Sequence, residues 1–164
     1  MPFLGQQMNA FTQAPILGQV SFVPSPNVVT AQINPASSAT SIQVGDVVKL
    51  VAGASSTVLV DKCSGPTDGP VFGVIPYNER KNVYVAGDLI EVAQIETYVY
   101  LKASAAVARG AKVTTTASTT SADPLVTTVS VPSTQYVTGI AVDTAASADG
   151  LIRVRVSPSF NSGV

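Results

Sequence analysis

One short pattern occurs four times in this chain of 164 residues: a glycine, preceded by small or polar residues and followed by alternating apolar ones. The four glycines are Gly45, Gly87, Gly110 and Gly150. Glycine reaches positive φ without steric cost, so each copy predicts a tight turn. The alternation after it predicts a strand with one buried face and one solvated face. We therefore expect an all-β protein, either a small β-barrel or a β-tulip or sandwich built from glycine-turn hairpins.

The remaining strands are predicted from apolar alternation and from the positions of glycine and proline. An alternating run from Leu89 to Leu101 is expected to bend near Gln94. The segment Ala103–Arg109 fits a short helix or a turn equally well, because seven residues are marginal for a helix. Further strands are expected at residues 19–23, 27–33, 45–52, 58–61, 71–75, 113–116 and 126–131.

Two segments in the C-terminal part echo two segments in the middle of the chain. The run Val137–Val142 resembles Val71–Ile75, since both contain a glycine followed by a branched apolar residue. The run that starts at Gly150 likewise resembles the run that starts at Gly87. A duplicated hairpin is a natural unit of a small barrel or sandwich.

The first 19 residues carry no charge and contain prolines and glycines that oppose a long helix. We interpret them as an extended N-terminal arm that becomes ordered against a partner; a floppy terminus is the alternative. A single β domain of residues 20–158 and a C-terminal tail of residues 159–164 complete the predicted organisation. The arm's apolar side chains are the predicted contacts with the partner: Phe3, Leu4, Phe11, Ile16 and Leu17.

Composition excludes several classes of function. Charged residues make up 12% of the chain, about half the usual share of roughly 25%. So little charge favours extensive protein–protein contact, although a bias of the source organism gives the same composition. The nine lysines and arginines are scattered, so nucleic-acid binding is not expected. No apolar run approaches the roughly 18 residues of a membrane helix, and the start does not resemble a signal peptide.

Residues that usually carry catalysis or bind metals are scarce. The chain has no histidine, the commonest general base and metal ligand. Its single cysteine, Cys63, excludes an internal disulfide and is expected to be a small buried residue in a protein made in a reducing cytosol. Asp143 and Asp149 flank a loop with too few oxygen ligands for calcium. We therefore predict no catalytic residue, no cofactor and no metal.

The carboxylates most open to a chemical role are Asp46 and Asp88, each directly after a turn glycine. The structural interpretation is that they cap backbone N–H groups of the turns. Glu91 and Glu96 are an odd number of positions apart, so on an unbroken strand they face opposite sides. Arg153 is predicted to share one face with Arg155, two positions later.

With these patterns established, the chain resembles the structural cement, or head decoration, proteins of tailed bacteriophages. The resemblance lies in Val83–Val92, in Tyr98–Thr116 and in Gly139–Val156. It implies a small β-barrel or β-tulip that binds the outer capsid surface where major capsid protein subunits meet, often as a dimer or trimer. It also implies an N-terminal segment that reaches onto the shell, and no catalytic residues to transfer.

The first hypothesis is therefore a capsid decoration protein on the outer surface of the virion, made in the host cytoplasm. Its expected partners are the major capsid protein and further copies of itself, with neither nucleic acid nor membrane. A second hypothesis is another phage structural component, such as a tail or fibre part, or a ligand-binding β module. The third is a small β-barrel hydrolase that uses the carboxylates of Asp46 and Asp88.

Overall fold

The computed structural model describes residues 15–21, 26–53, 57–116, 124–130 and 134–160. This part of the chain contains strands and loops but no helix, which confirms the all-β prediction. The thirteen strands in it are β1 (Val20–Ser21), β2 (Val28–Ile33), β3 (Ile42–Gln43), β4 (Val47–Leu50), β5 (Leu59–Lys62), β6 (Val71–Val74), β7 (Val83–Tyr84), β8 (Leu89–Ala93), β9 (Tyr98–Ala103), β10 (Lys112–Thr115), β11 (Leu125–Thr128), β12 (Tyr136–Ala141) and β13 (Leu151–Phe160).

The strands form two closed barrels in succession along the chain. The first barrel has the strand order β2-β5-β4-β6-β8 and closes by pairing β8 with β2. The second barrel has the order β9-β11-β10-β12-β13 and closes by pairing β13 with β9. β1 adds to β9 as a sixth strand, and β3 pairs with β7 as a separate two-stranded ribbon. The small-barrel prediction is confirmed, in the form of two barrels.

The two barrels have the same topology. In each, the first strand pairs in parallel with the third, and the other four pairings are antiparallel. The ribbon β3–β7 of the first barrel corresponds to an isolated bridge between Val107 and Ala145 in the second. The sequence predicted a repeated hairpin, and the structure extends that repeat to a whole barrel.

Single hydrogen bonds are duplicated as well. The N–H of Ile75 donates to the backbone carbonyl of Asp46 at 2.9 Å, and the carbonyl of Ile75 accepts the N–H of Gly45 at 2.8 Å. In the second barrel Ala141 makes the same two bonds, with Ala111 at 2.9 Å and Gly110 at 2.8 Å. Counterpart positions in the two barrels can therefore be assigned residue by residue.

The core follows the alternation of the strands. Val48 and Val92 point into the first barrel, whereas their neighbours Val47 and Ala93 point to the other face and join the cluster that fills the second barrel. The barrels thus share one wall of apolar contacts, which Tyr136 extends by packing on Gly69. Each fully buried aliphatic side chain contributes about 1.5–3 kcal/mol to folding.

The four predicted turns are present, with one difference. Gly45, Gly87 and Gly110 have φ of 85°, 89° and 83°, and each is followed by a residue whose N–H bonds to a carbonyl three residues back, as in a type II turn. In the fourth turn the positive φ, 68°, belongs to Asp149 and not to the predicted Gly150. Aspartate tolerates this conformation better than most residues. The fourth turn thus has the order aspartate–glycine, the reverse of the glycine–aspartate order at Gly45 and Gly87.

Two connecting segments, residues 94–97 and 104–110, have conformations that the sequence left open or predicted only in outline. The run from Leu89 to Leu101 does turn at residues 94–97, where Glu96 has φ of 65°, and this turn carries the chain from the first barrel to the second. Residues 104–110 form a loop in which Val107 is buried, so the turn alternative holds and the helix does not.

Candidate binding surface

The predicted arm is only partly separate from the barrels. Phe3, Leu4 and Phe11 lie outside the described residues. Ile16 is 44% exposed, and its contact with a partner stays a prediction. Leu17 is half-buried instead, beside Gly45: a side chain added at that glycine would lie 2.9 Å from Leu17 Cδ1.

Gly18 joins this segment to both barrels. Its N–H donates to the carbonyl of Tyr100 at 2.7 Å, and its own carbonyl accepts the N–H of Tyr77 at 2.7 Å. It has φ of 75°, and an added Cβ would lie 2.9 Å from the nitrogen of Tyr77, so no other residue fits without strain. Residues 16–19 therefore lie against the protein's own body, where the sequence analysis placed an arm bound to a partner.

The carboxylates of Asp46 and Asp88 both cap their turns. Asp46 accepts the N–H of Gln43 at 2.7 Å, and Asp88 accepts the N–H of Val85 at 2.8 Å. This is the structural role that the sequence predicts. Burial raises the pKa of Asp46, against the opposing effect of the Lys62 ammonium 2.9 Å away. The pKa of Asp88 is lowered, chiefly by a hydrogen bond from a lysine side chain.

The other candidate side chains are engaged in ion pairs. Arg153 makes two parallel hydrogen bonds to Asp143, both at 2.9 Å, and these hold the pKa of Asp143 below its ordinary value. Arg155 lies 3.7 Å from Glu96. Both arginines alternate with buried residues of β13 and share a face, as predicted. At least six of the nine lysines and arginines pair with carboxylates, so the surface offers little unbalanced charge.

The described residues contain no group of histidine, cysteine or acidic side chains that could hold a metal ion. Cys63 is buried, and burial raises its pKa to about 12, so the thiol is protonated near neutral pH. In the same part of the chain no helix is long and apolar enough to cross a membrane.

Exposed apolar side chains are distributed unevenly between the two halves. Among the described residues, every large apolar side chain that is exposed lies between positions 16 and 95, and none lies in the second barrel. The most exposed follow one another at the end of β7 and the start of β8. They are Val83 at 55%, Val85 at 63% and Leu89 at 66%, and we call them the 83–89 surface.

Two of these three positions carry small or polar side chains in the second barrel, whereas the counterpart of Leu89 is another leucine, Leu151, which is half-buried. Tyr84 pairs with β3 as Ala145 pairs with Val107, so the counterparts of Val83 and Val85 are Thr144 and Ala146. The same barrel geometry is therefore stable with small or polar groups there. Val83 and Val85 are thus exposed apolar side chains at places where the second barrel has a threonine and an alanine.

Sequence reasoning did not single out the 83–89 surface. The signal is in the run Val83-Tyr84-Val85, because period-2 alternation cannot bury all three side chains of one strand. Tyr84 is buried and donates its hydroxyl to the carbonyl of Lys81 at 2.9 Å, which leaves both valines on the outer face.

No family model matches this chain, and no curated protein matches it. Among solved structures, it is similar to one described as the N base of head fiber gp8.5 in bacteriophage phi29. The two chains are 18% identical and align over 80% of this chain and 94% of that one, with a TM-score of 0.48.

Proposed function

We propose that this protein is a structural component of a tailed-phage virion, and specifically a decoration protein that binds the outer capsid surface and stabilises contacts between major capsid subunits. The observation that supports it most is the concentration of exposed apolar side chains in the first half of the chain, on the 83–89 surface above all. The resemblance to cement proteins covers the same residues, Val83–Val92.

The distribution of charge is consistent with this function. Because most cations are paired within the chain, attraction between unlike charges contributes little to binding. Binding through apolar side chains and hydrogen bonds is weakened little by salt, so the proposed contact with the capsid should persist at high ionic strength. Many copies on one shell gain avidity, so each contact can be weak. The role we propose is non-catalytic.

Co-sedimentation with purified expanded capsids tests the proposal. Leu89 is about two-thirds exposed, and burying that area contributes about 1–2 kcal/mol, or a five- to thirtyfold change in affinity. We expect Leu89→Gln and Val85→Gln to weaken capsid binding by such factors while the protein stays folded. Ala146→Gln, at the counterpart of Val85, is the matched control and should bind normally.

Two results would contradict the proposal. If Val85→Gln and Ala146→Gln bind capsids equally well, the 83–89 surface is not the contact. If electron microscopy of the virion places the protein on the tail or a fibre, the capsid role gives way to the second hypothesis. Shell contacts by Phe3, Leu4 and Phe11 stay a prediction, which deletion of residues 1–14 tests without removing Gly18.

A further inference from the structure

The second barrel carries an added strand, β1, that has no counterpart on the first barrel among the described residues. In the second barrel, β11 pairs only with the end of β9, at Lys102 and Ala103. The beginning of β9 pairs instead with β1. Tyr100 fixes this strand with both of its backbone groups, since its N–H donates to Gln19 at 3.0 Å and its carbonyl accepts from Gly18 at 2.7 Å.

The counterpart of Tyr100 in the first barrel is Thr30. The assignment follows from Ile33 and Ala103, which exchange the same pair of hydrogen bonds with the turns before β8 and β13. In the first barrel too, β5 pairs only with the end of its neighbour, at Gln32 and Ile33 of β2. Thr30 therefore occupies the position that Tyr100 uses to hold β1.

The backbone of Thr30 points to this open edge. Along β2 the N–H of Gln32 donates to Val58 on the β5 side, and the N–H of Ile33 donates to Asp88 on the β8 side. The direction alternates from residue to residue, so the N–H and carbonyl of Thr30 lie on the β5 side. Within the described ranges no strand pairs with β2 there.

Apolar side chains at the open edge match those that contact the arm on the second barrel. Leu17 lies next to Pro124: a Cβ built on Gly45 would be 2.9 Å from the leucine and 3.0 Å from the proline. The counterpart of Pro124 is Val58, which precedes β5 as Pro124 precedes β11 and is 37% exposed. Val28, on the same edge, is 36% exposed.

The sequence contains a second copy of the segment that fills the edge of the second barrel. Residues 15–19 read Pro-Ile-Leu-Gly-Gln, and residues 2–6 read Pro-Phe-Leu-Gly-Gln. The two copies share four of five residues, including the leucine that lies beside Pro124 and the glycine that must adopt positive φ. Residues 15–19 lie along the edge of β9 in the second barrel. Residues 2–6 repeat their sequence, and the edge of β2 at Thr30 is the equivalent edge of the first barrel.

We propose that the edge of β2 at Thr30 binds residues Pro2–Gln6 of the same chain as an added β-strand. Gly5 donates its N–H to the carbonyl of Thr30 and the carbonyl of Gln6 accepts the N–H of Thr30, as Gly18 and Gln19 do with Tyr100. Leu4 packs on Val58, so this proposal leaves Phe3 and Phe11, and not Leu4, as predicted shell contacts. Main-chain hydrogen bonds provide affinity in such strand addition, and side chains at alternate positions provide specificity. The nine steps from Gln6 to Pro15 reach up to about 30 Å, about the width of a small domain, and the tether raises the effective concentration.

Hydrogen exchange at single amides tests this inference on the isolated protein, so its outcome is independent of capsid binding. We expect the amide of Thr30 to exchange at least about tenfold more slowly in the full chain than in a chain that starts at Asn9. A synthetic peptide of residues 1–8 should restore the protection. The amide of Tyr100, which Gln19 holds, is the internal control and should be equally protected in both chains.

A matched pair of substitutions separates the motif from the rest of the uncharged segment. Leu4→Asp should release the Thr30 amide, whereas Asn9→Asp, which adds the same charge outside the motif, should leave it protected. Equal exchange of Thr30 in the full and shortened chains overturns the proposal. Protection that disappears on dilution places the segment on a second copy and overturns the assignment to the same chain.

Discussion

Two glycines without positive φ give the sharpest test of the duplicated fold. Gly73 lies in β6 and Gly139 in β12, at counterpart positions. A Cβ at Gly73 would lie 2.6 Å from Cγ1 of Val92 and well within 3.0 Å of the carbonyl oxygen of Ala93. A Cβ at Gly139 would meet the neighbouring strand in the same way, 2.7 Å from Cγ1 of Val154.

The expected loss of stability depends on which atoms the added Cβ would contact. Since the nearest obstacle is in each case a backbone carbonyl, a rotamer change cannot relieve the clash and the paired strands must separate. Overpacking of a well-packed core costs about 1–3 kcal/mol, and a backbone clash belongs at the upper end. We expect Gly73→Ala and Gly139→Ala each to destabilise the protein by about 3 kcal/mol, which lowers Tm by about 6–12 °C in a chain of this size.

Thermal and urea unfolding followed by circular dichroism measure this effect, with Gly53→Ala as the control. Nothing lies within 4 Å of a Cβ at Gly53, and its φ is not positive, so alanine there should be neutral or stabilising by about 0.4–1 kcal/mol. If Gly139→Ala were as stable as Gly53→Ala, the close approach of β12 and β13 would be wrong. A large effect in one barrel only would refute the equivalence of the two positions.

Four further predictions follow from single side chains. Asp46→Asn should lower the free energy of unfolding in urea by about 3 kcal/mol, because it leaves the half-buried Lys62 without its carboxylate partner. Asp88→Asn, in a more exposed turn of the same type, should lower it by less than about 1 kcal/mol. Thr114→Val should stabilise the protein by about 1 kcal/mol, since the buried hydroxyl has no hydrogen-bond partner in the described part of the chain; a loss of stability would reveal one. The pKa of Asp143 is lowered by folding, so its contribution is present above the ordinary value of 3.8 and is lost as pH falls through the folded pKa. Wild type should therefore exceed Asp143→Asn in stability at pH 6, and the difference should shrink below pH 3.8, where a constant difference would contradict the ion pair. Cys63, with a pKa of about 12, should resist a thiol reagent at pH 8 until urea unfolds the chain, and immediate reaction would show that the thiol is not buried.

Much of the fold was predictable because its strands carry a local signal. Period-2 alternation and turn glycines mark most of them within a few residues, and the repeat of Val71–Ile75 in Val137–Val142 identified equivalent strands. The number of barrels was not predictable. Whether Leu89–Leu101 bends within one sheet or passes between two depends on long-range pairing, and alternation alone does not encode a partner strand.

The candidate surface was harder to predict because exposure is a tertiary property. Leu17 and Leu89 are both apolar residues next to a glycine turn, yet the first packs beside Gly45 and the second is two-thirds exposed. Nothing local distinguishes them. The capping role of Asp46 was predictable, since a carboxylate after a turn glycine has a backbone N–H within reach, whereas its burial beside Lys62 was not.

Duplication explains why so uniform a framework can carry an uneven surface. The backbone bonds around Ile75 and Ala141 are the same, so either barrel can keep its geometry while outward residues change. Val85 and Ala146 occupy counterpart places with the same effect on the fold and different consequences for contact. Where the two barrels carry the same type of residue at counterpart positions, we expect that residue to serve the shared fold. Where the residue types differ on the outer face, we expect a role in binding. By that criterion we expect the partner contact that we propose to lie on the first barrel, at Val83 and Val85.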